Sequence, residues 1–388
     1  MTNPKILRVG VIGGGQLAWM MADGAKSLNV ELCVQTPNAD DPACAIAHKI
    51  FLGAVDNAAV TAKMAEYCDV ITFENEFVDL PSLRQLEAKA AGEVTFYPQL
   101  DCLEPLLDKY DQRAYCDRLN LPSPSFATLE SEADLASLPE KVKTIGLPLA
   151  LKTRRHGYDG QGTFILETLE AVTEAWKSLS YQPVLLESFV AFEKELAVMV
   201  ARSQAGEVVV YPVVETEQVD QVCRRVKVPA QVEARVAEKV RAIATQLVNS
   251  LGVVGIFGIE LFLTQSGQVL INEIAPRTHN SGHYTLDACI TSQFEQQLRA
   301  VCGLPLGAAE LTHPGAIMVN LLGTEEATSD YAKKREALAQ IPGSAVYWYG
   351  KQQSRIGRKM GHVTVLTDAP NNPEAIAGVI RQVDQIWY

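Results

Sequence analysis

Glu260 and Glu273 sit in two apolar runs, Ile256–Leu263 and Val269–Ile274, joined by Ser266-Gly267. If those two residues form the centre of a hairpin turn, Gln265 faces Gln268 and Thr264 faces Val269. Continuing the register sets Glu260 opposite Glu273. Opposed Cβ atoms in an antiparallel pair lie about 4.5–5.5 Å apart, and like charges there destabilise. Ile259, Leu261, Ile271 and Ile274 make both strands at least half buried. Two close carboxylates in such surroundings cannot both ionise without compensation. A divalent cation supplies it, and Mg²⁺ favours carboxylate oxygens alongside substrate phosphates. The plainer reading pairs one Glu with a nearby Arg and leaves the other protonated or solvated. The apolar strands favour the cation.

The segment after Glu273 reads Ala275-Pro276-Arg277-Thr278-His279-Asn280-Ser281-Gly282-His283. An Arg, two His and an Asn beside a metal pair suit an anionic substrate and proton transfer. Two glycine loops add phosphate chemistry. Gly13-Gly14-Gly15-Gln16-Leu17-Ala18 follows a strand and opens a helix, where backbone N–H groups favour negative charge. The same loop equally suits a tight turn with no ligand. Gln35, not an acid, ends the second strand, so a dinucleotide oxidoreductase is disfavoured. His156-Gly157-Tyr158-Asp159-Gly160-Gln161-Gly162 follows a strand carrying Lys152 and lacks Gly-Lys-Ser/Thr. A glycine flap of this kind lays N–H groups over phosphates with Lys as a point charge. The basic tail Lys351, Arg355, Arg358, Lys359 and His362 reads by itself as a solvated face.

These residues need a scaffold. Ile6–Ile12, a helical face from Leu17 to Leu28, and Val30–Val34 form a βαβ opening. Val70–Phe73 adds a strand, and a helix runs from Pro81 to about Ala91. Helices are expected over 108–119, 232–251 and 293–301. Strands are expected at 149–153, 163–166, 184–186, 196–201 and 208–213, with a β-rich tail including 345–349 and 362–366. The expected fold is α/β and α+β in three units: a Rossmann-like domain over 1–100, a central domain over 101–305 and a small β-rich domain over 306–388. With 388 residues, 47% of them apolar, the chain is long enough for two or three domains. A net charge of −12 excludes the broad basic surface of a nucleic-acid or anionic-membrane binder. No signal peptide or spanning segment is expected. Eight scattered cysteines without a CxxC pair read as small buried residues in a reducing cytosol.

Taken together, IGGGQLA (12–18), TFENE (72–76), HGYDGQG (156–162), NEIAPRTHNSGH (272–283) and GRKMGH (357–362) resemble the ATP-grasp superfamily. Within it, they resemble the 5-(carboxyamino)imidazole ribonucleotide synthetase family of purine biosynthesis. The resemblance spans nearly the whole chain, and 272–283 is its most specific part. It implies a pre-ATP-grasp domain before the ATP-grasp domain, a cytoplasmic homodimer, and ATP and Mg²⁺ as cofactors. Bicarbonate is phosphorylated to carboxyphosphate, and 5-aminoimidazole ribonucleotide is carboxylated on its exocyclic amine.

The resemblance also implies roles. Lys109 and Lys152 meet ATP phosphates, and Gly157, Tyr158, Asp159, Gly160, Gln161, Gly162 and Thr163 form the flap. Glu187, Ser188, Phe189 and Val190 form the adenine hinge, Glu195 meets ribose, and Asn272 and Glu273 complete the ATP site. Glu260 and Glu273 hold the metal. Arg277, His279 and Lys351 are catalytic. Tyr158, Asp159, Arg277, His279, Lys351 and Arg358 meet the ribonucleotide, with Gly15, Gln16, Leu17 and Glu76 nearby. Three positions depart from the family pattern: Trp19 and Gln161 stand where Arg is usual, and Glu215-Thr216-Glu217-Gln218 replaces E-N-x-H. The rivals are a formate-dependent glycinamide ribonucleotide transformylase and a catalytically silent nucleotide-binding protein.

Overall fold

A computed structural model describes residues 6–90, 92, 94–155 and 162–388. Strands β1 (Leu7–Ile12), β2 (Val30–Thr36), β3 (Lys49–Leu52) and β4 (Val70–Phe73) form a parallel sheet in the order β3-β2-β1-β4. This is the expected βαβ start. The helix after β1 is not continuous, however: it divides into Gln16–Trp19 and Ala22–Leu28. The break is a local tightening, in which Met21 N–H reaches back only three residues to Ala18 C=O at 3.1 Å.

Strands β5 (Phe126–Leu129), β6 (Leu149–Thr153), β7 (Thr163–Leu166) and β8 (Val184–Ser188) form an antiparallel sheet ordered β5-β8-β6-β7. The helices Leu138–Ile145 and Leu169–Ser178 bury Val142, Val172 and Trp176 against Leu149, Leu151 and Leu186. The other face of this sheet is left to line a cleft.

The remaining long strands build one large sheet. They are β9 (Phe192–Arg202), β10 (Val208–Val210), β11 (Val214–Val219), β12 (Val222–Val228), β13 (Gly255–Thr264), β14 (Val269–Ala275) and β15 (Gly315–Leu322). Further on come β16 (Ala327–Thr328), β17 (Ser344–Trp348), β18 (Gln353–Ser354) and β19 (Lys359–Thr367). The order is β14-β13-β9-β11-β12-β15-β19-β17, with β10 on β9 and a separate β16-β18 pair. Because β12 pairs with β15, the sheet runs unbroken past residue 306. The tail therefore extends the central sheet, and it closes with a helix, Pro373–Trp387, that buries Trp387.

The helix Ala234–Leu251 packs Val240, Ala244 and Leu247 on Val198, Ile259, Leu261 and Ile271. Strand alternation then turns Glu195 and Glu260 to the opposite face. Among the described residues, no helix is long and apolar enough to cross a membrane. Among the described residues, none of the eight cysteines is in a disulfide.

Candidate active site

The hairpin joining β13 and β14 differs from the counted register. Thr264 pairs with Gln268 around a three-residue loop, and Gly267 takes the left-handed conformation at φ 78°. Leu263 thus faces Val269 and Leu261 faces Ile271, one residue out from the expectation. A bulge between Glu260 and Leu261, absorbing Asn272, restores the register, and Glu260 does face Glu273. Bulges re-aim side chains, and here Asn272 and Glu273 both reach lysines. Lys152 Nζ donates to Asn272 Oδ1 at 3.2 Å, and Lys109 Nζ lies 3.0 Å from Glu273 Oε2.

Each lysine is placed by its element. Lys109 opens the helix Lys109–Arg118, whose cap Asp108 accepts N–H bonds from Tyr110 and Asp111. Arg154, at the end of β6, holds Asp108 at 2.8 Å, and its carbonyl accepts Lys109 N–H. Lys152 lies on β6, 2.6 Å from Glu187 on β8. Glu187 also pairs with Arg113, and both side chains are 2% exposed. Burial raises the Glu187 pKa, but Arg113 and Lys152 overcome it and hold the group at about 2. Burial lowers the Lys152 pKa against the pull of Glu187.

The opposed pair is electrostatically asymmetric. Burial, then Glu273 and Glu195, push Glu260 up to about 7. Burial also acts on Glu273, but Lys109 outweighs it and lowers its pKa. Glu195, across β9–β13 from Phe262, is raised to about 7 by burial. His279 sets Nδ1 2.9 Å from Ser281 Oγ and Nε2 3.7 Å from Glu260 Oε1. Arg277 Nε lies 2.9 Å from Glu76 Oε1, linking this segment to the loop after β4.

Every described site residue named from the sequence, Gly162 excepted, lines one cleft of about 1450 Å³. Gly162 lies beside it, its carbonyl accepting Thr153 N–H. Gly157, Tyr158, Asp159, Gly160 and Gln161 lie outside the described residues. The tail folds into the cleft as well. Lys351 Nζ donates to Lys359 C=O at 2.8 Å, and Arg358 Nη1 to Gln353 C=O at 2.6 Å. Lys351, Arg355, Arg358 and Lys359 all line it, so the tail is not merely a solvated face. Gly15 and Leu17 N–H groups already donate to Glu74, at 2.6 and 3.2 Å. Burial raises the Glu74 pKa against those bonds.

Three family models match the chain in order: the ribonucleotide synthetase preATP-grasp domain over 6–104, the ATP-grasp domain over 114–294, and the phosphoribosylaminoimidazole carboxylase C-terminal domain over 316–375. The N5-carboxyaminoimidazole ribonucleotide synthase of Synechococcus elongatus is 52% identical over 385 residues, covering 98% of this chain and 96% of its own. The chain belongs to the N5-carboxyaminoimidazole ribonucleotide synthetase family. A crystal structure of an N5-carboxyaminoimidazole ribonucleotide synthetase as its ADP complex superposes with a TM-score of 0.89 at 34% identity, covering 100% of this chain and 99% of that one. The Aspergillus clavatus synthase, in complex with ADP and 5-aminoimidazole ribonucleotide, gives 0.88 at 32%, covering 98% and 99%.

Within this synthetase fold, one departure stands behind the cleft wall and not in it. Trp19 packs edge-on against Tyr349, ring centroids 6.2 Å apart, and is not a lining residue. Gln218 does line the cleft. Sequence reasoning missed Arg113, Glu74 and Gln293. Arg113 looks like any helical Arg, and only its burial shows its role. Glu74 lay inside the TFENE string, where a buried acid beside a glycine loop was the available signal.

Proposed function

We propose that this chain is an ATP-dependent ligase that carboxylates 5-aminoimidazole ribonucleotide on its exocyclic amine, yielding N5-carboxyaminoimidazole ribonucleotide, ADP and phosphate in purine biosynthesis. The observation that carries this reading is the opposed pair Glu260–Glu273, set between two lysines and the Arg277–His279 segment within one cleft. Single-ligand pockets hold roughly 300–1,000 Å³, so about 1450 Å³ suits a nucleotide together with a ribonucleotide.

A bicarbonate oxygen attacks the γ-phosphorus, the bond to the bridging oxygen breaks, and ADP leaves. The amine nitrogen then bonds to the carboxyl carbon of carboxyphosphate, or to CO₂ released from it. Phosphate departs and the amine loses a proton. Little covalent work falls to the protein, so charge and positioning dominate. Lys109 and Lys152 offset phosphate charge, with Gly162 and Thr163 at the phosphate end. Glu187 to Val190 take the adenine end and Glu195 the ribose. Arg277 holds bicarbonate, and His279 Nε2 takes up or releases the proton. Ser281 Oγ serves either tautomer, because a hydroxyl both donates and accepts. Lys351, Arg358, Glu76 and the 15–17 turn hold the ribonucleotide.

Magnesium belongs to this reading. Glu260 and Glu273 would hold it, and when bound it supplies positive charge to the phosphoryl oxygens. The elevated Glu260 pKa marks a place where added positive charge is favourable. Among the described residues, no three His, Cys, Asp or Glu side chains gather into a metal cage. That suits an ion completed by nucleotide phosphates. A cytoplasmic homodimer, divided near residues 100 and 305, completes the reading, and light scattering tests the dimer.

The deciding experiment is phosphate release from Mg-ATP with and without bicarbonate and 5-aminoimidazole ribonucleotide. Turnover requiring both is expected. Turnover indifferent to the ribonucleotide, or supported instead by formate and glycinamide ribonucleotide, overturns the assignment.

A further inference from the structure

His279 is held by more than its own loop. Gln293, 0% exposed, begins the helix Gln293–Val301. Its Oε1 accepts His279 N–H at 2.9 Å, and its Nε2 donates to His279 C=O at 2.7 Å. One carboxamide therefore grips both backbone groups of a single residue. The remaining Nε2 proton faces His283 Nδ1 at 3.4 Å. An amide turned the other way would set Oε1 against the His279 carbonyl and Nε2 against His279 N–H, so the His279 backbone sets which way it points, and an acceptor at His283 Nδ1 reinforces that choice. Burial keeps the His283 pKa well below the ordinary value, so the ring is neutral, and in the tautomer protonated on Nε2 its Nδ1 accepts from Gln293.

We infer that Gln293 is a positioning residue for His279, with His283 reinforcing the orientation of its amide. The inference rests on His279 acting in the reaction proposed above.

Two glycines make the arrangement possible. A Cβ on Gly282 would come within 2.6 Å of Gln293 Oε1, and one on Gly258 within 2.5 Å of His279 Cβ. Gly258 lies on β13, the strand that carries Glu260, so His279 is seated directly against that strand. The clamp is also anchored at its other end. In the same helix, Gln297 Oε1 accepts Ile256 N–H and its Nε2 donates to Thr72 Oγ1, both at 2.7 Å. The helix is thereby tied to β13 and β4 while it holds His279.

The test is a double-mutant cycle on phosphate release, with Gln293→Met and His279→Gln alone and together. Misplacing a reacting group by about 1 Å costs about 10²-fold. Gln293→Met should therefore lower kcat by about 10- to 100-fold while the KM for ATP stays within about 2-fold. In the His279→Gln background it should cost almost nothing further, because the group it positions is gone. His283→Leu should mimic part of the loss. His283→Asn, which keeps an acceptor near the Nδ1 position, should recover most of it. Thermal melting checks that each variant is folded. If Gln293→Met is unfolded, the Leu and Asn pair at 283 decides. Equal activity of that pair, or a Gln293→Met loss that multiplies fully with His279→Gln, overturns the clamp. A His279→Gln enzyme as active as wild type would instead sink the role given to His279 in the proposed reaction.

Discussion

Glu260 and Glu273 face each other across one antiparallel strand pair, yet their pKa values move in opposite directions. The difference is Lys109, 3.0 Å from Glu273, whereas the positive charges of Lys359 and Lys109 act on Glu260 too weakly to offset burial and its two carboxylate neighbours. Glu273 keeps its charge at neutral pH, and Glu260 shares a proton. A cation held by the pair, as proposed, would replace that proton, and its affinity would then depend on pH.

Glu273→Gln should remove that arrangement at its charged end. ATP turnover should fall by about 10²-fold or more, the range for losing one preorganised electrostatic group. The fold should survive, since the residue lines the cleft and not the core. Phosphate release at saturating Mg²⁺, together with a thermal melt, checks both parts. Wild-type turnover in this variant would end the metal assignment.

The raised pKa of Glu260 also has a stability signature. Its proton is held with a pKa near 7 in the folded chain, against about 4.3 when unfolded. Between those values the folded state keeps a proton that the unfolded state has released. The stabilisation is complete below the unfolded pKa and lost as pH rises through 7. Glu195 behaves alike. His362 and His283, with lowered pKa values, act in the opposite direction only below the ordinary His pKa of about 6.5. From pH 8 down to 6.5, the protein without nucleotide should gain on the order of 1 kcal/mol from Glu260. Glu260→Gln should lose that share of the gain. Calorimetry at the two pH values measures it, and a wild type more stable at pH 8 would contradict the assignment.

What the sequence disclosed follows from how local each signal is. Apolar runs and turn residues located β13, β14 and the 293–301 helix within a residue or two. Glu260 met Glu273 although the turn holds three residues, because a bulge at Asn272 cancelled the error. Counting along the chain cannot foresee a bulge. Strands β11, β12 and β15 were missed: the first two carry several charged or polar residues and no apolar run, and the third follows a long irregular stretch. Gln293 and Arg113 were hidden for another reason. Polar residues on helices are usually solvated, and only tertiary packing buries these two.

Arg113 should behave as a buried charge whose loss is felt at a distance. It pairs with Glu187 and donates to the Asn272 carbonyl, so it joins β8, whose Glu187 also holds Lys152, to the bulge. Arg113→Met leaves Glu187 with Lys152 alone. Removing one partner of a buried pair costs about 3–5 kcal/mol. Lys152 should then be held more firmly by Glu187, and the KM for ATP should rise. Denaturant midpoints and steady-state kinetics report the two effects. A loss below about 1 kcal/mol, typical of exposed pairs, would show that the pair is dispensable.

Lys351 separates the ribonucleotide from the nucleotide. It lies in the tail between β17 and β18, its ammonium donating to Lys359 C=O and standing 5.4 Å from the centre of the Tyr349 ring. Tyr349 in turn touches His362 at 2.8 Å and packs against Trp19 of the N-terminal unit. The ammonium is thus held within the cleft by groups of the tail itself. Lys351→Ala should raise the ribonucleotide KM by about 10- to 150-fold, the equivalent of roughly 1.5–3 kcal/mol for a charge-assisted bond. The KM for ATP should barely move, because binding of only one substrate is weakened. Varying each substrate in turn distinguishes the outcomes. Unchanged kinetics would return the tail to a structural role, and a matching rise in the ATP KM would mean that the tail closes over the nucleotide instead.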